Sequence, residues 1–279
     1  MRKARIAALV AACAFLAQGS GAQEPWSGNH VPGSEPMRPA PLLLHPIHAT
    51  NATLLAASRA GNVEAIRAAL KEGADAHVRD HWGNTSLALA ASSGDREAVR
   101  LLIAQGVDLD RRGSLGLNPL GIAALRGNLD IARMLVRAGA RVDQKSASGN
   151  TPLHSAVLFE HLDILRLLLE AGADASVFDP LGRPALVLAA AVKKTAAAEV
   201  LLDYGVDPNL PARNLQTPLA AAVFTKNKPL VELLLGFGAD EGVISVDIFP
   251  EPLKVVQRAS RRPVPPLMTR SVPFADVTQ

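Results

Sequence analysis

Six glycines hold one register along this chain: Gly73, Gly106, Gly139, Gly172, Gly205 and Gly238 each stand 33 residues after the one before. A single compact core imposes no such register, whereas a stack of identical supersecondary units does. Each glycine follows a leucine-rich stretch and precedes a small or apolar residue. An aspartate comes next, as in Gly73-Ala74-Asp75 and Gly172-Ala173-Asp174, except in the third unit, where Arg141 replaces it. This is the pattern of a helix that ends on a left-handed residue, a backbone state that glycine adopts without steric cost.

The other columns keep the same spacing. Thr85-Ser86-Leu87-Ala88, Asn118-Pro119-Leu120-Gly121, Thr151-Pro152-Leu153-His154, Pro184-Ala185-Leu186-Val187 and Thr217-Pro218-Leu219-Ala220 follow one another at 33-residue intervals, with a worn Ala52-Thr53-Leu54-Leu55 ahead of them. Thr or Asn suits a helix N-cap, and Pro suits the first helical position, where its missing N–H has no intrahelical partner. Alanine pairs such as Ala90-Ala91 and Ala123-Ala124 let neighbouring helices approach closely. Gly61, Gly94 and Gly127 mark a turn into a second helix, whose apolar residues are Ile131, Leu135 and Val136 in one unit and Ile164, Leu167 and Leu168 in another. Lys193 and Lys226 replace that turn glycine in repeats five and six, and Leu215 replaces the loop glycine of Gly83, Gly116, Gly149 and Gly182.

The segment from Gly149-Asn150-Thr151-Pro152-Leu153-His154 through Leu168-Leu169-Glu170-Ala171-Gly172-Ala173-Asp174 resembles the ankyrin repeat, and the resemblance covers about residues 51–240. It implies an all-α solenoid of six helix-turn-helix repeats of 33 residues with short β-hairpin-like loops, occupying residues 51–245. Thr151, Pro152, Leu153, His154 and Gly172 are then structural motif positions. The resemblance gives His154 the task of bonding backbone and tying adjacent turns together.

The ends read differently. Met1-Arg2-Lys3-Ala4-Arg5 is basic, Ile6 to Ala17 is apolar but too short to span a bilayer, and Ser20-Gly21-Ala22 offers small residues at a cleavage site. The order is that of an export signal over residues 1–22, cleaved between Ala22 and Gln23. A retained anchor, or a lipoprotein modified at the lone Cys13, are the alternatives. The signal holds three basic and no acidic residues, so the +3 net charge of the whole chain belongs to it, and 26 residues of each sign follow. That balance gives no support for nucleic-acid binding, which needs a concentrated basic surface. Residues 23–50 read as a Pro-rich linker. Residues 246–279 read as a Pro-rich basic tail, with a short capping helix near Leu253–Arg261 and an extended Pro263-Val264-Pro265-Pro266 beyond it.

Chemistry finds little purchase. The chain has no Gly-x-Ser-x-Gly elbow, no phosphate-binding glycine loop and no His-Glu-x-x-His helix, so no catalytic residue, cofactor or metal ligand is assigned. His30, His45 and His48 lie together in the linker but lack the Cys or paired carboxylates of a metal site. The repeat columns instead point to a binding face. Trp82, Leu115 and Leu181 fall at loop tips, Phe178 stands near one of them, and Phe159 and Phe224 end first helices where other repeats have Ser92 and Ser93. In register on a concave solenoid face and outside the stacking core, these six describe a surface for another protein.

The expectation is a monomeric, non-enzymatic protein-binding module of the bacterial cell envelope, periplasmic or else secreted, acting as chaperone, inhibitor or scaffold. An accessory protein handling a metal or cofactor, and a secreted effector binding a host protein, are the alternatives. Mass spectrometry of the envelope fraction should find a mature N-terminus near Gln23 and no free thiol. A lipid-modified Cys13, or an intact chain in the cytosol, would reject the periplasmic address.

Overall fold

The computed structural model describes residues 46–241. The expected signal (residues 1–22), nearly all of the linker and the tail lie outside that range. Among the described residues twelve α-helices form six successive pairs: α1 (Pro46–Ala60) and α2 (Val63–Lys71), α3 (Ser86–Ser93) and α4 (Arg96–Ala104), α5 (Pro119–Arg126) and α6 (Leu129–Arg137), α7 (Pro152–Phe159) and α8 (Leu162–Glu170), α9 (Ala185–Ala191) and α10 (Thr195–Asp203), α11 (Pro218–Phe224) and α12 (Lys228–Gly236). Each odd helix packs on its own even partner and on the odd helix of the next pair, and the even helices form a second row. This is the all-α repeat solenoid that the 33-residue register implies. No strand forms among the described residues, and the loop between α2 and α3 carries one isolated antiparallel bridge, Arg79 to Thr85. The hairpin-like loops are therefore built from turns.

Local chemistry sets the ends of each helix. Thr85, Asn118, Thr151 and Thr217 cap α3, α5, α7 and α11, each side-chain oxygen accepting a backbone N–H three residues on. Pro119, Pro152 and Pro218 take the first helical position, where no N–H is needed. Pro184 caps α9 without any side-chain bond. The 33-residue glycine column closes the even helices. At α8, the Gly172 N–H donates to the Leu169 carbonyl at 3.0 Å and the Ala173 N–H to the Leu168 carbonyl at 2.9 Å, a Schellman closure made possible by φ +84° at Gly172.

Helix α1 departs from the expected boundary. It begins at Pro46, inside the segment read as linker, and runs 15 residues where α3 has 8 and α9 has 7. The later odd helices each start at a loop that fixes their N-cap, whereas α1 starts at a proline, which fits a first helical turn. The turns between paired helices also hold a residue that the register reading passed over. Glu160 adopts φ 59° where earlier repeats have glycine, as Lys193 (61°) and Lys226 (54°) do in the next two.

The core is a set of ladders running across repeats. Leu54, Leu87, Leu120, Leu153, Leu186 and Leu219 occupy one column and are all at most 1% exposed. Polar rungs join the same neighbours. The side chains of Asp110, Asp143 and Asn209 accept the backbone N–H of Arg141, Asp174 and Asp240 at 2.8, 3.1 and 2.7 Å. Burial pushes the Asp143 carboxyl above the ordinary range; the Asp174 N–H opposes this and the Asp174 charge adds to it. His161 is the N-cap residue of α8 and reaches back to the Leu125 carbonyl, 3.3 Å from Nε2. A Cβ at Gly127 would meet that imidazole at 2.7 Å, so this glycine is needed for close approach as well as for its positive φ.

His154 is fully buried and closes a capping box with Thr151, whose Oγ1 lies 2.8 Å from Nδ1. Its Nε2 has no partner within hydrogen-bond geometry. Burial holds the imidazole below the usual histidine pKa. The Asp179 charge and the carbonyl dipoles of Arg183 and Val177, in the next loop, pull it up, and Lys145 pushes it further down. His154 thus faces the neighbouring turn, but its Nε2 makes no hydrogen bond across to it, so the tie between turns that the resemblance implies is not formed here.

Two expectations follow for stability. Leu153→Ala should cost about 2–5 kcal/mol in denaturant melts through lost burial and a residual cavity, and a loss below about 1 kcal/mol would show that the column is not a packing element. The lowered folded pKa of His154 means that below about pH 6.5 the unfolded chain binds a proton that the native ring refuses. Stability is therefore full above that pH and falls as the pH drops through it, by at most about 1.4 kcal/mol per unit. Melts at pH 7.5 and 5.5 should show a smaller acid loss for His154→Gln than for the unsubstituted chain, and equal losses would refute the assignment.

Candidate interaction face

The geometry of the first loop starts at Asp80. Its Oδ1 accepts the backbone N–H of Trp82 at 3.0 Å and of Asn84 at 2.8 Å, and its Oδ2 accepts Asn84 Nδ2 and Arg59 Nη2, both at 3.0 Å. Only 7% of the Asp80 side chain is exposed. Burial alone would raise the Asp80 pKa, but the Asn84 and Trp82 donors and the Arg59 charge outweigh it, and the carboxyl is held below its ordinary value. A persistently ionised carboxylate thus fixes the turn that presents Trp82. The indole is 54% exposed, with the Arg59 guanidinium 5.2 Å from its centroid and the His81 ring beside it. Leu55, Ala56, Arg59 and Ala60 from α1, with His81 and Trp82, line an open hollow of about 420 Å³.

That contact shows which columns share a surface: the tip residue Trp82 lies over Arg59, near the C-terminal end of an odd helix. The repeat register carries the Arg59 column to Ser92, Leu125, Leu158, Ala191 and Phe224, and the Trp82 column to Leu115, Ser148, Leu181 and Asn214. The fourth loop repeats the device. Asp179, whose side chain is 2% exposed, accepts the N–H groups of Leu181 and Arg183 and pairs with the Arg183 guanidinium at 2.7 Å, presenting Leu181 at 68% exposure. In the second loop Gly113 stands where the aspartate would be, and Asn84 of the preceding tip accepts the Ser114 N–H at 2.7 Å instead. Tips are bonded to one another elsewhere too: the Ala147 N–H donates to the Leu115 carbonyl at 3.0 Å and the Arg213 N–H to the Gly182 carbonyl at 2.8 Å.

Of the six side chains singled out from the sequence, Trp82, Leu115, Phe159, Leu181 and Phe224 are exposed. Phe159 lies parallel to the His161 ring at 6.2 Å. Phe178 differs: it is half-buried, with the Arg213 guanidinium 5.1 Å from the ring centroid. Leu215 is 81% exposed and belongs with the set. The signal for it was the missing glycine of the loop column, which leaves a leucine at φ 64°. Among the described residues no three His, Cys, Asp or Glu side chains gather as they would around a metal ion, and no helix is long and apolar enough to cross a membrane.

None of the curated proteins matches this chain. A family model for ankyrin repeats, three copies long, matches residues 53–146 and 110–179. Ankyrin repeats are thus detected in the first four helix pairs, and the same closing geometry recurs at α10 and α12, where the N–H groups of Gly205 and Val206, and of Gly238 and Ala239, donate to the last turn.

Proposed function

We propose that this chain is a non-enzymatic protein-binding module of the bacterial cell envelope, holding an exported partner as a chaperone, inhibitor or scaffold. Ankyrin repeats are in general protein–protein interaction modules, and the observation that carries the reading here is the placement of Trp82, Leu115, Leu181 and Phe224. Each is more than half exposed, none belongs to the buried core, and two sit on turns pinned by buried carboxylates. Large apolar side chains held rigidly in solvent lose little conformational freedom on binding, which favours them as anchors of a protein interface. The envelope address rests on the order of basic, apolar and small residues at the N-terminus.

Chemical cross-linking in the envelope of the source cell, followed by purification, supplies the test. Partners held by the unsubstituted chain should fall at least tenfold for Trp82→Ala/Leu181→Ala/Phe224→Ala, with the melting temperature nearly unchanged, because about 1 kcal/mol or more of binding per anchor is lost while no core contact is. Equal recovery of the same partners by both proteins would remove this face from consideration.

A further inference from the structure

The charges beside the tips are unevenly satisfied. In the first three loops five carboxylates each accept at least one hydrogen bond. Asp75 and Asp108 accept N–H groups of their own loops, Asp80 is tied to Arg59, Asp110 to the Arg141 N–H and guanidinium, and Asp143 to the Asp174 N–H. The cations are not engaged in this way. Arg79, Arg112 and Lys145 are exposed and stand 33 residues apart in one column. Among the described residues Arg79 and Arg112 make no side-chain hydrogen bond or ion pair, and Lys145 Nζ donates only to the Phe178 carbonyl, at 3.1 Å.

That last bond also shows where the column runs. Lys145 touches the backbone of Phe178, which occupies the same column one repeat on, so the column passes from loop to loop. Phe178 lies under Arg213, whose column contains His81, and His81 packs on Trp82. The unpaired cations therefore flank the exposed tips Trp82 and Leu115.

We infer that this part of the face takes an extended acidic peptide segment of the partner, its carboxylates on Arg79, Arg112 and Lys145 and its apolar side chains on Trp82 and Leu115. The inference rests on the reading of the tip face as a docking surface and adds the chemistry of the occupant. Spacing narrows it further. Packed helices stand roughly 8–10 Å apart, and a polyproline II segment advances about 3.1 Å per residue with three residues per turn. One turn of such a segment spans one repeat, so a carboxylate at every third position meets every cation of the column while the intervening residues face the tips.

The full chain and labelled nonapeptides test this by fluorescence anisotropy. A peptide of three Glu-Leu-Pro units should bind at least tenfold more tightly than one of three Gln-Leu-Pro units, and the preference should shrink as salt rises. Arg79→Gln/Arg112→Gln/Lys145→Gln should abolish the preference with the melting temperature retained, and Arg79→Lys/Arg112→Lys should keep most of it. No binding of the acidic peptide, equal binding of the Glu and Gln peptides, or an unaltered preference in the triple Gln variant would overturn the inference. So would tighter binding of a single-stranded oligonucleotide than of the acidic peptide. Partner loss on removal of Trp82, Leu181 and Phe224 without any acidic preference would leave the docking face standing and discard only its acidic occupant.

Discussion

Burial of one helix pair against the next is the interaction on which every other feature of this molecule depends. Leu153 lies in a row with Leu120 before it and Leu186 behind it, and none of the three retains more than 1% of its surface. A helix of eight or nine residues is too short to persist alone in water. The pairs are stable because each supplies the apolar wall that its neighbour lacks, so stability is a sum of repeat and interface terms rather than the property of one centre. The same logic explains the alanine-rich odd helices. Ala90, Ala123, Ala156 and Ala189, all fully buried, allow the close approach that seals the leucine row.

Once stacking is fixed, polar groups decide how the loops are held. Three carboxylate or amide side chains reach 31 residues forward to a backbone N–H, and successive tips exchange backbone bonds. Each loop is thereby referenced to the next, and the tips form a ridge of defined spacing. Asp80 and Asp179 lie almost fully buried beneath that ridge, and the exposed Trp82 and Leu181 are positioned by groups that solvent barely reaches. Rigidity below and apolar surface above are the two requirements of a preorganised binding face.

Much of this was legible in the amino-acid order because a repeat states each structural requirement several times. The glycine that closes α8, the Thr-Pro start of α7 and the burial of Leu153 all follow from columns that recur at one spacing. What departed from expectation was not repeated. The early start of α1 has no counterpart column. Glu160 is the exception: it stands in a repeated column, 33 residues after Gly127 and 33 before Lys193, and the register held its signal. Phe178 was read as exposed because its neighbour, Arg213, belongs to a different column in the next loop, and the register of one column is silent about contacts between two. The unpaired state of Arg79 and Arg112 likewise required knowing where every nearby carboxylate was spent.

The left-handed turns between paired helices give the stack a direction. In the first three repeats these turns are Gly61, Gly94 and Gly127; in the last three they are Glu160, Lys193 and Lys226. A side chain in that conformation costs about 1–2 kcal/mol, and in the fourth repeat the pairing of Glu160 with Lys194 at 2.8 Å offsets part of it. At this column the same cost falls on Lys193, between α9 and α10, and on Lys226, between α11 and α12. The first three pairs, which have glycine at this turn, flank Trp82 and the cation column, so the surface proposed for an acidic partner is built on repeats in which that turn carries no side-chain cost.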